Sequence, residues 1–142
     1  MRISDIQTLL KVKTHLEKKA QQELAQIQQK KEQETEVLGQ LKETKETAMD
    51  DAVHYTKTRA TEMQTSAAFI KSLSRQIQQQ VKKVDEIETQ EDGKREELMV
   101  KSQSKKMVEK LEEKRRVEET KQNDLKEQQM MDMLAQRLQP ES

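Results

Sequence analysis

The side chains able to do chemistry are few, and their spacing leaves them without partners. His15 and His54 lie far apart with no ligand-spaced companion, so they read as solvated or seam-edge residues rather than metal ligands. Paired carboxylates occur at Asp50-Asp51, Glu112-Glu113 and Glu118-Glu119. Such pairs could act as general acid and base, but with no pocket to hold them they read as solvated helix faces. Serines and threonines have no base at a usable spacing to activate them. A GxxxxGK(S/T) phosphate loop is absent, so the chain is not expected to hydrolyse nucleotide. Cysteine is absent too, which excludes disulfides and thiolate metal sites. The expectation is a protein that is not an enzyme and that has no catalytic residue, cofactor or metal. Its function must then come from geometry and contact.

The composition says which elements supply that geometry. The chain has 142 residues, of which 31% are hydrophobic and 38% charged, with one Phe, one Tyr and no Trp. Too little apolar surface is present to offset the ordering entropy of a globule. Long helices that bury a narrow stripe, or disorder, remain. The 27 basic and 27 acidic residues cancel, there are only two Gly and one Pro, and good helix formers dominate, which selects long helices. Lys and Glu alternate with no basic block, and aromatics are nearly absent, so nucleic acid is not an expected partner. No apolar run approaches the ~20 residues needed to cross a bilayer, and the opening Met1-Arg2-Ile3-Ser4-Asp5 lacks the apolar segment of a signal peptide. A cytoplasmic protein without direct membrane insertion is expected.

The fold class is therefore all-α: a long antiparallel two-helix coiled coil in a single domain, 1–142. Helix 1 is expected over about 3–53, a turn region over about 54–66 and helix 2 over about 66–138. From Leu24 the steps of three and four pass Ile27, Lys31, Glu34, Leu38, Leu41, Lys45 and Ala48, a heptad seam with polar interruptions. Periodicity fails among Thr56, Thr58, Thr61, Thr65 and Ser66, residues that favour caps and turns. Ser66 is the expected N-cap of helix 2. Its apolar residues run Ile70, Leu73, Ile77, Val81, Val84, Ile87, Leu98, Met107, Val108 and Leu111. Pairing outward from the turn brings Leu38 near Val81, Leu41 near Ile77 and Leu10 near Val108. The arms would be ~75 Å and ~110 Å long at 1.5 Å per residue, so helix 2 should overhang beyond about Glu113. The seam fades there as well, with only Val117 and Leu125 apolar from Glu112 to Gln129. The overhang ends in Met130, Met131, Met133, Leu134 and Leu138, and Met130, Leu134 and Leu138 form one i, i+4, i+8 stripe. That stripe reads either as a docking helix or as a self-associating end. Near the turn, Leu41, Ala48, Phe69 and Leu73 read as inner hairpin layers, as a partner surface, or as both.

Three stretches carry a family resemblance. The opening ISDIQTLLKVKTHLEKKAQQELAQIQQ, the run Phe69-Ile70-Lys71-Ser72-Leu73, and the closing KKMVEKLEEKRRVEETKQNDLKEQQMMDMLAQRL resemble, in order and spacing, the FliJ family of flagellar type III export proteins. One departure is Met133, where the family usually carries Glu. The resemblance covers almost the whole chain. It implies a stalk whose open end docks in the hexameric flagellar export ATPase and whose turn end meets the cytoplasmic domain of the export gate membrane protein. Members also handle export chaperones. By position, the gate contacts it implies are Val37, Leu41, Thr44, Ala48, Phe69, Leu73, Gln76 and Gln80. The implied ATPase-ring contacts are Ile3, Ile6, Leu10, Met130, Met131, Asp132, Leu134 and Arg137. The location it implies is the cytoplasmic face of the inner membrane, and the free protein would be a monomer. Two other readings share the same physics: the equivalent stalk of an injectisome, and a generic self-associating coiled-coil scaffold.

Overall fold

A computed structural model describes residues 2–54 and 60–138. They form two helices, α1 (Ile3–His54) and α2 (Ala60–Leu138), and no strand occurs among the described residues. The first turn of α1 is closed by the amides of Asp5 and Ile6, which donate to the Arg2 carbonyl at 3.0 and 3.1 Å. Asp5 and Glu62 lie in the first turns and Arg137 in the last turn of α2, each sign matched to the helix dipole.

The described part of α2 already runs from Ala60, so Ser66 is not its N-cap but an interior, half-buried residue. Of the hydroxyl residues expected to favour caps and turns, Thr61, Thr65 and Ser66 lie within α2, and Thr56 and Thr58 lie outside the described residues. Thr65 donates to the Thr61 carbonyl at 2.9 Å, one turn back, which satisfies the hydroxyl without leaving helical geometry. Thr8, Thr14, Thr44, Thr89 and Thr120 do the same elsewhere. Residues 55–59 of the expected turn region lie outside the described residues.

The chain divides into two compact units, one made of Met1–Lys19 and Met99–Ser142, the other of Ala20–Leu98. Within each, α1 and α2 lie side by side and antiparallel. In the Ala20–Leu98 unit, Glu23 meets Lys94, Lys31 meets Glu91, and Glu34 meets Lys83 and Gln80, so one number rises as the other falls. The protected residues of α1 in this unit step by three and four from Ala20 to Ala52, the heptad period of a two-helix seam. Those of α2 step likewise from Ser66 through Leu73, Val84 and Ile87 to Leu98. In the other unit the seam residues are Ile3, Ile6, Leu10, Lys13 and Glu17 facing Lys101, Lys105, Val108, Glu112 and Arg115. Its innermost side chain is Ile6, 1% exposed.

Three apolar residues expected to belong to the seam lie outside it. Val81 is 37% exposed, Leu111 43% and Met107 73%. The same three-and-four stepping explains why. From Ile77 it lands on Gln80 and Val84, and from Lys105 it lands on Val108 and Glu112. Position outranks hydrophobicity here, because a two-helix seam has no second apolar layer to shelter a neighbour. Beyond Arg115 every described residue is exposed as far as Leu138.

Gly39 and Gly93 lie inside helices with no positive φ, and a Cβ built on either would meet nothing within 4 Å. Both positions therefore carry the helix penalty of glycine with no packing reason for it. Gly39→Ala and Gly93→Ala should each stabilise the chain by about 0.5–1 kcal/mol. Urea unfolding followed by circular dichroism measures this; a loss of stability would mean that the backbone bends at those positions.

Candidate docking surfaces

The seam is made partly of charged residues, and across the helices their signs match. Lys31 lies 3.2 Å from Glu91 and 3.6 Å from Glu88. Glu91 is 3% exposed and also pairs with Arg95 one turn on. Gln80 donates to both the carboxylate and the backbone carbonyl of Glu34, at 2.6 and 2.9 Å, and Lys83 reaches the other carboxylate oxygen at 3.0 Å. In the unit holding the termini, Lys105 pairs with Glu17 at 3.3 Å. A shift of one heptad would place these groups against apolar residues or like charges. The polar layers thus select one register and one antiparallel orientation, though each adds little net stability.

These contacts perturb the groups that make them. A hydrogen bond from Ser102, then those from Lys105 and its charge, hold Glu17 below the ordinary glutamate value. Gln80 first, then Lys83, do the same to Glu34. Glu91 raises Lys31, and Glu23 with Glu97 raises Lys94. A lowered carboxylate contributes stability that is present above its ordinary value of 4.5 and lost as pH falls through its lower folded value. A raised lysine contributes stability that is full below its ordinary 10.5 and lost as pH rises through its higher folded value. The unfolding temperature should therefore be flat between about pH 5 and 10 and fall on either side. Glu17→Gln with Glu34→Gln should shrink the acid limb and leave the alkaline limb in place. An acid limb of unchanged depth in that variant would remove these layers as its cause.

The residues that the resemblance assigned to the gate all lie in the Ala20–Leu98 unit, and the structure brings only some of them together. Thr44, Ala48 and Phe69 line one groove between the helices, together with Glu43, Thr47 and Asp51. Phe69 is 51% exposed and Val37 42%. Gln76 is exposed. Leu41 is half-buried, Leu73 is buried, and Gln80 is engaged with Glu34. These last three serve the seam.

The assigned ATPase contacts belong to the other unit and fall into two groups. Ile3 and Leu10 are half-buried and Ile6 is fully buried, all in the seam. Met130, Met131, Asp132, Leu134 and Arg137 are all exposed. Met130, Leu134 and Leu138 present one apolar stripe, at 64%, 50% and 81% exposure. His15, Asp50, Asp51, Glu113, Glu118 and Glu119 are exposed; Glu112 is half-buried and pairs with Arg116 at 2.6 Å. The side chain of His54 lies outside those described. No helix among the described residues is long and apolar enough to cross a membrane.

The polar interruptions Lys31, Glu34 and Lys45 are visible in the sequence of α1, but the α2 residues that answer Lys31 and Glu34 are not visible from apolar spacing. The signal was available: stepping by three and four onward from Ile87 lands on Glu91 and Lys94, opposite in sign to the residues they meet. Reading only apolar residues as seam members hid it.

Compared with known proteins, the chain matches one family model, described as Flagellar FliJ protein, over residues 1–139. No curated protein and no solved structure is a significant match.

Proposed function

Because this chain belongs to the FliJ family, we propose that it is the central stalk joining the flagellar export ATPase to the membrane export gate. The family is that of the flagellar type III export stalk, a non-enzymatic structural component that interacts with other parts of the export apparatus. The finer assignment concerns which end meets which partner.

One observation carries it: every described residue from Arg116 to Leu138 is exposed, and apart from Val117 and Leu125 the large apolar residues of that run gather at its end. Continuing the seam frame past Arg115 lands on Glu119, Gln122, Lys126 and Gln129, four polar positions in a row, where the frame from Ser66 to Val108 never holds more than two between apolar layers. In this reading the C-terminal part of α2 extends beyond its pairing with α1 and offers Met130, Leu134 and Leu138 to a partner. A ring of subunits around the overhang would supply the apolar lining those residues lack, because a single helix ~10–12 Å across fits a pore too tight for a globule. The groove at Thr44, Ala48 and Phe69 lies toward the turn and is the proposed gate contact, and export chaperones are further proposed partners. The stalk would work at the cytoplasmic face of the inner membrane and be a monomer when free.

Co-purification with the cognate export ATPase tests this directly. The expected result is a complex in which this chain promotes hexamer formation and speeds ATP hydrolysis. A chain that neither binds the ATPase nor changes its assembly would remove the stalk reading.

A further inference from the structure

The sequence holds eight methionines. Apart from Met1, outside the described residues, every one is exposed, from Met49 at 48% to Met107 at 73%. This is unusual placement for a flexible apolar side chain that ordinarily fills gaps in cores. The seam is built from Ile, Leu, Val and Ala together with the polar residues above, and contains no methionine from Ile3 to Ala52 or from Ser66 to Arg115. Three methionines crowd one short stretch, Met130, Met131 and Met133, at 64%, 68% and 57% exposure. The fold therefore rests on side chains that mild oxidants leave alone, while the exposed C-terminal cluster is built from side chains they attack.

We propose that Met130, Met131 and Met133 form a peroxide-sensitive modification site, whose conversion to sulfoxide releases the C-terminal stripe from its protein partner while the paired helices stay folded. The proposal rests on the docking reading above and adds a regulation to it. The oxidant is a hydroperoxide. A thioether sulfur lone pair attacks the terminal oxygen, an S–O bond forms and the O–O bond breaks. The proton on the transferred oxygen passes to the departing one, which leaves as water or an alcohol. Sulfur loses two electrons and the peroxide gains them. No side-chain base is needed, so exposure governs which methionines react. The product is polar where the stripe was apolar, and it cannot be buried against an apolar lining without losing its hydration. Sulfoxide reductases reverse the step, so the modification works as a switch.

The test uses the full chain treated with hydrogen peroxide, with sulfoxides located by peptide mass spectrometry. Affinity for the export ATPase and circular dichroism are measured before and after treatment. Expected are sulfoxides at Met130, Met131 and Met133 and also at the comparably exposed Met49, Met63, Met99 and Met107, an unchanged unfolding temperature, an affinity at least tenfold weaker, and recovery on treatment with the two sulfoxide reductases. The variant Met130→Leu, Met131→Leu, Met133→Leu should bind before peroxide and keep its affinity after it. Equal affinity of treated and untreated chain, failure of the reductases to restore binding, or equal loss in the leucine variant would overturn the proposal. So would unfolding of the treated chain. An untreated chain that does not bind the ATPase would overturn the docking reading itself, and the proposal with it.

Discussion

Met130→Asp combined with Leu134→Asp should weaken binding to the export ATPase by about a hundredfold or more while leaving helicity unchanged. Met130 and Leu134 sit one helical turn apart on the stripe and are exposed at 64% and 50%. Neither touches the seam, whose last member on α2 is Arg115. A carboxylate forced into an apolar partner surface loses its hydration without a counter-charge, and interface anchors of this kind are typically worth about 2 kcal/mol or more each. Two aspartates near the negative end of α2 are slightly unfavourable for the helix itself. Gln128→Asp with Gln136→Asp is the matched control, adding the same charge on the opposite face. Binding by the control and not by the stripe variant, in calorimetry, is the expected outcome. Equal loss in both would make the effect one of net charge or helix fraying rather than of a docking face.

Ile87→Ala should destabilise the chain by about 2–5 kcal/mol, whereas Val81→Ala, on the same helix and less than two turns away, should change stability by less than about 0.5 kcal/mol. Ile87 is 3% exposed and Val81 37%. The comparison separates seam position from hydrophobicity. In a two-helix pair no neighbouring layer can fill the space left by Ile87, so the cost should lie toward the upper end of that range. Denaturant unfolding of the two variants decides between them; equal losses would mean that the α2 seam follows the Val81 frame instead.

These two cases show where the sequence was readable. A helix–helix seam announces itself when apolar residues recur at three and four, and from Leu24 to Ala48 that pattern coincides with the protected residues, including the polar members Lys31, Glu34 and Lys45. On α2 the apolar residues mislead. Val81, Met107 and Leu111 are apolar yet outside the seam, while Gln80, Glu91, Lys94 and Lys105 are polar yet inside it. Partner identity decides such cases: Lys31 accepts Glu91 as a neighbour, and no single-helix pattern contains that information. The start of α2 was missed for a different reason. Threonine propensity favours turns, but its hydroxyl can bond one turn back, as Thr65 does to Thr61, and the helix continues.

The proposed docking surfaces were legible to different degrees. The C-terminal stripe needed only helical spacing and the absence of anything to cover it, and the structure leaves all of its residues exposed. The set near the turn mixed surface with seam, because residues one helical turn apart share a stripe on paper while one is exposed and the next is buried. Phe69 and Leu73 illustrate it, at 51% and 4% exposure.

The stalk assignment depends on antiparallel pairing made within one chain and held in register by its polar layers. The absence of cysteine allows that to be measured directly by attaching spin labels to Gln28→Cys and Gln90→Cys. Both residues are exposed and flank the layer of Lys31 and Glu91. Helices packed 8–10 Å apart should hold the labels within about 30 Å of each other. Pulsed dipolar spectroscopy should then show that distance unchanged when labelled chain is diluted tenfold with unlabelled chain. A short distance that disappears on dilution would mean that the pairing joins two copies, and no short distance at all would mean that the two helices are not neighbours in solution; either result contradicts the stalk.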